Sequence, residues 1–119
     1  MTLAQYITQH LTTPFEWGKH DCVLFVAGWI SIKSGKDMLE GVPKWTSAKG
    51  ALKLVKELGG IEKLVEDRLY KIPVNSATDG DVTLYNDSLH IFSGPYIVGA
   101  GLSGIEFTDR GVATCAWRY

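Results

Sequence analysis

The chain has 119 residues, 45% of them hydrophobic and 21% charged, with a net charge of −1. That composition fits one domain with a single continuous core. It offers no electrostatic case for nucleic acid or an anionic membrane surface, and the longest apolar stretch, Cys22 to Ile30, falls far short of the ~20 residues a membrane span needs.

Met1 to Leu11 has neither the basic start nor the long apolar run of a secretory signal. Synthesis in the cytoplasm is expected, with any delivery outside the cell by another route. The two cysteines, Cys22 and Cys115, form no CxxC pair, and His10, His20 and His90 are spread apart. Reduced thiols and no metal or other cofactor are therefore expected.

Leu3 to Leu11 reads as a short amphipathic helix with Thr2 as its N-cap, ended by Thr12-Thr13-Pro14. Phe15 to His20 reads as a loop. Asp21 then caps a helix from Cys22 to about Ser34, stopped by Gly35. This helix is apolar nearly all round, which marks it as the centre of the fold.

Lys36 to Thr46 is irregular. Ser47 to Leu58 is a second amphipathic helix, with Ala48, Ala51, Leu52, Val55 and Leu58 on one face and Lys49, Lys53 and Lys56 on the wet side. Gly59-Gly60 breaks it, and Ile61 to Leu69 marks another short helix. After Pro73 the pattern turns to short strands: Asp81–Tyr85, Leu89–Ser93, Tyr96–Val98, Ile105–Thr108 and Ala113–Arg118. Helices followed by antiparallel strands predict an α+β domain spanning residues 1–119.

Cys22 is the leading candidate for chemistry. A helix N-terminus supplies unpaired N–H groups and a positive dipole end, both of which favour a thiolate, the nucleophilic form. The alternative is a packed core cysteine, the reading that also suits Cys115. His90 is the candidate base, because a strand would hold its imidazole rigidly. Alternation puts His90 and Phe92 on one face and Leu89 and Ile91 on the other. His20 is either a substrate or thiolate contact or a residue that pins the loop. Asp21 reads first as a cap, and Trp17 as a groove wall or a packing residue. Asp81, after Gly80, reads as a turn-fixing residue.

The order of these elements carries a resemblance. Pro14-Phe15-Glu16-Trp17-Gly18, then Asp21-Cys22 opening an apolar helix, then Gly80-Asp81-Val82, then His90 on the next strand, resembles the NlpC-type cell-wall peptidases of the papain-like cysteine peptidase superfamily. The His20-Asp21-Cys22 form, the short chain and the Ala116-Trp117-Arg118 ending are similar to a small branch encoded among phage tail genes and gene-transfer-agent clusters.

The resemblance implies a papain-like fold with the Cys22 helix packed on the sheet. It implies Cys22 as nucleophile and His90 as base, with Trp17, His20 and Asp21 at the substrate side and a peptidoglycan peptide as substrate. Phage tail or baseplate proteins are the implied partners, with a virion tail as the location. A structural tail-tip component of the same fold without activity is the alternative, and a thiol hydrolase or acyltransferase unrelated to phage is a third reading. Three departures stand out. Phe15 replaces a Tyr, Val23-Leu24 replaces a Ser-Gly pair, and His90 stands two residues later than the family's His. At ~3.4 Å per residue that is about 7 Å further along the same strand face.

Overall fold

The computed structural model describes residues 1–119. Four helices precede a six-stranded antiparallel sheet. α1 (Leu3–His10) begins with a capping box in which the Thr2 hydroxyl accepts from the Gln5 amide and the Gln5 side chain accepts from the Thr2 amide. α2 (Cys22–Ser34) is capped by Asp21 and ends on Gly35, which takes the left-handed conformation at φ 73° that glycine adopts without a Cβ penalty. α3 (Ala48–Glu57) is capped by Ser47, and α4 (Ile61–Glu66) follows the Gly59-Gly60 break.

The sheet comprises β1 (Tyr70–Ile72), β2 (Val82–Tyr85), β3 (Ser88–Ser93), β4 (Tyr96–Gly101), β5 (Gly104–Asp109) and β6 (Ala116–Arg118), ordered β1-β6-β2-β3-β4-β5. The chain end thus returns between β1 and β2, with Val82 opposite Trp117. Tyr119 fastens it there. Its hydroxyl donates to the Gly80 carbonyl at 2.8 Å and accepts from Trp29 Nε1 at 2.7 Å.

α2 is the core helix, as its all-round apolar sequence predicts. Phe25, Val26, Trp29 and Ile30 bury against Val82, Leu89, Ile91, Val98 and Trp117 on one face of the sheet. Each such large side chain contributes about 1.5–3 kcal/mol on leaving water. A smaller cluster of Ala77, Phe92, Ile97 and Ala116 covers the opposite face. There the Arg110 guanidinium lies 4.7 Å above the Phe92 ring.

Beyond one-residue shifts at several ends, four differences from the sequence reading stand out, one being that β4 runs to Gly101 rather than Val98. α4 stops at Glu66 rather than Leu69, because the chain must turn at Asp67 to lay Tyr70–Ile72 against β6. β1 itself was not expected: three residues carry too little alternation to announce a strand. β6 begins at Ala116 rather than Ala113, because Arg110–Val112 forms a 3-10 turn capped by the Asp109 carboxylate on the Gly111 amide.

Candidate functional site

The loop before Cys22 is a tight return rather than a loose loop. Glu16 and His20 exchange two main-chain hydrogen bonds of 2.9 Å, with Trp17-Gly18-Lys19 at the tip. Gly18 has φ 81°, and a Cβ there would lie 2.1 Å from the Trp45 carbonyl oxygen, so only glycine lets the two segments approach.

Asp21 holds this assembly together. Its Oδ1 accepts from the Leu24 amide at 2.9 Å, which caps α2. Its Oδ2 accepts from the Gly18 amide at 3.0 Å and from Trp45 Nε1 at 2.7 Å. The carboxylate is 1% exposed and both oxygens are occupied by N–H donors, so its role here is architectural.

Cys22 sits at the start of α2 beside the start of β3, with its side chain at the edge of the core. Burial pushes its thiol up from the ordinary value. The Leu89 main chain, the Ser88 hydroxyl and the Val23 main chain pull the other way, and the Asp21 charge adds to the rise. The helix N-terminus was expected to favour a thiolate. Removal of the sulfur from water outweighs that pull, because a buried thiolate loses more hydration than a few hydrogen bonds return.

His90 lies elsewhere. β2 and β3 are joined by the two-residue turn Asn86-Asp87, both at positive φ, which fixes the register as Thr83 opposite His90 and Leu84 opposite Leu89. Leu89 and Ile91 therefore point to α2, and His90 points to the other face. There its ring is 5.9 Å from Tyr85 and rests on Gly99, where a Cβ would come within 2.8 Å of the imidazole. Nδ1 lies 2.9 Å from the Ser88 carbonyl, an acceptor, so Nδ1 carries the proton. Burial pushes the imidazole down, opposed by that carbonyl and by the Glu106 charge. Cys22 packs with Leu89 and Ile91, on the side of β3 that the His90 ring faces away from. The two expected catalytic residues are not brought together.

The β3 groups that pull the thiol back down are the Leu89 main chain and the hydroxyl of Ser88, two positions before His90. The only trace of Ser88 in the sequence was the two-residue offset of His90 from the family pattern. A hydroxyl in that place cannot take a proton from a thiol near neutral pH, as an imidazole can.

His20, expected at the substrate side, instead stacks on His10, with ring centroids 5.2 Å apart and planes 18° apart, and both rings meet the Phe25 ring at an edge. It is 8% exposed, and its Nε2 is buried without a partner. No third His, Cys, Asp or Glu joins the pair to form a metal-ligand group.

Trp17 is half-exposed and does wall a cavity of about 350 Å³ that opens beside Cys22. The cavity is roofed by the apolar side of α3 and by Trp45, which the sequence reading had left in an irregular segment. Trp117 is fully buried in the core.

No curated protein and no solved structure matches the chain. One family model matches it from residue 1 to residue 119, that of the Domain of unknown function (DUF6950), and the protein belongs to that family.

Proposed function

We propose that this chain is an NlpC-type, papain-like domain in which the peptidase chemistry is not assembled, and that it works as a structural or assembly component of a phage tail tip. The tail assignment rests on the motif resemblance: the Trp-Gly-Lys-His-Asp-Cys run, the Gly-Asp-Val strand start and the Ala-Trp-Arg ending. The observation that carries the loss of catalysis is that Cys22 packs with Leu89 and Ile91 on the α2 side of β3, whereas the His90 ring points to the other side. A cysteine peptidase needs a base within hydrogen-bond reach of the sulfur to make the thiolate and to return the proton to the leaving amine. Here the thiol is held protonated by burial, and the N–H-saturated Asp21 carboxylate has no free oxygen to serve instead.

The test is genetic and biochemical together. In a tail-forming element that lacks this gene, Cys22→Ser and His90→Ala should restore tails as well as the wild-type chain does. The purified protein should release no new amino groups from peptidoglycan. Peptide release that disappears in Cys22→Ser and in His90→Ala would instead establish a peptidase with His90 as its base. Failure of the wild-type gene to affect tail formation would remove the assembly role.

A further inference from the structure

We infer that the cavity between α3 and Cys22 binds the hydrocarbon chain of a single-chain anionic amphiphile, a fatty-acid carboxylate, with the lysine flank of α3 at its head. This goes beyond the assembly role and does not depend on it.

The first observation is that α3 has a strongly apolar side and yet buries no residue completely. Ala48, Ala51, Leu52 and Val55 face a cavity of about 350 Å³ instead of packing into the core, and Leu52 remains 59% exposed. An amphipathic helix normally covers its apolar stripe, so this stripe lacks its partner.

The second is the lining. Of sixteen residues around the cavity thirteen are hydrophobic, and the others are Asp21, Gly60 and Asp87. Asp21 has both oxygens engaged. Asp87 belongs to the exposed β2–β3 turn. The interior therefore offers little to hold water and much to hold methylenes.

The third is charge. α3 and the segment leading into it, residues 41–57, contain Lys44, Lys49, Lys53 and Lys56 against the single acid Glu57 at the end of the helix. On a helix at 100° per residue, Lys49, Lys53 and Lys56 form one flank, next to Leu52 at the edge of the apolar stripe. An anionic head belongs at that flank, away from Asp87. A concave site takes one chain, whereas a bilayer would meet the outside of α3 and leave the cavity empty.

The test uses the fluorescence of the intact protein. Trp17 and Trp45 line the cavity, while Trp29 and Trp117 lie in the core. Titration with 11-bromoundecanoate should quench the cavity tryptophans saturably, one molecule per chain, below the concentration at which the probe aggregates. Val55→Asp should weaken binding at least about tenfold, as a charge placed in an apolar pocket does. Leu52→Ser, milder in its effect on α3, should weaken it less, and circular dichroism should show both variants folded. Reversing Lys49, Lys53 and Lys56 to Glu should weaken the acid about fivefold or more while sparing 11-bromoundecanol, and high salt should narrow that gap. Absence of saturable quenching would overturn the proposal. So would equal binding of acid and alcohol to the wild-type protein, or quenching only by vesicles of brominated phosphatidylglycerol, which would make α3 a membrane contact.

Discussion

The indole of Trp45 donates a 2.7 Å hydrogen bond to the carboxylate of Asp21, the residue immediately before Cys22. The bond spans 24 residues of sequence and ties the start of the core helix to the segment that leads into α3. The same carboxylate caps α2 and holds the Gly18 turn, so one buried side chain positions the thiol, the loop in front of it and the roof of the cavity.

Asp21→Ala should therefore destabilise the fold by about 3 kcal/mol, combining loss of a helix cap with unpaired N–H donors at Gly18 and Trp45. Asp21→Asn should cost less, because the amide oxygen can still accept. Trp45→Phe, which leaves one carboxylate oxygen short of a donor, should cost about 1–2 kcal/mol. Urea unfolding of the three variants checks the ranking, and an Asp21→Ala protein as stable as wild type would contradict the architectural role.

The stacked His10 and His20 rings predict acid sensitivity. Burial pushes the His20 imidazole down, the His10 charge pushes it further, and Asp21 opposes both; burial alone pushes His10 down. The other ionisable group packed here is Tyr6, whose hydroxyl donates to the Phe25 carbonyl and is pushed up to about 12, so it stays neutral throughout. A histidine with a depressed folded value binds its proton more weakly than in the unfolded chain. Its stabilising effect is full above the unfolded value of about 6.5 and is lost as pH falls below it. Stability should therefore drop between about pH 7 and pH 5, and His20→Phe should flatten that drop. An unchanged slope in the variant would assign it to His10 or His90, which burial also depresses.

Asp81 works in the opposite acid range. Burial pushes its carboxyl up, but the Arg118 fork, at 3.0 Å to one oxygen and 2.7 Å to the other, and the Thr78 amide at 2.8 Å outweigh it and leave the value low. A depressed carboxyl stabilises the fold above the unfolded value of about 3.9, and that contribution disappears as pH falls through the folded value. Arg118→Met should thus lower stability at neutral pH, with the deficit shrinking below about pH 4. Thermal melts of both proteins from pH 3 to 7 read this directly, and a deficit constant across the range would mean that Arg118 acts by packing alone.

Local signals in the chain were strong where one element decides its own conformation. Asp21 before an apolar run predicted the N-cap of α2 and Gly35 its stop, because cap chemistry and a left-handed glycine are properties of a few neighbouring residues. The α+β order and the antiparallel sheet followed from the change of periodicity after Pro73. β1 was invisible, since its three residues become a strand only by meeting β6, forty-odd residues later.

The candidate site was legible as a set of residues and not as an arrangement. Alternation along β3 already separated His90 from Leu89 and Ile91, but which of the two faces receives α2 is a matter of packing. The structure turns the apolar pair, Leu89 and Ile91, toward the helix, because burying them against Phe25, Val26 and Ile30 removes the most surface from water. The imidazole is thereby carried to the far side. A thiol at the start of a buried helix was legible in Asp21-Cys22 and the apolar run that follows, because cap and apolar pattern are local properties. Tertiary packing turns His90 away from that thiol and opens an apolar cavity beside it, because the side of a strand that meets a helix is set by the sum of all the contacts across the sheet.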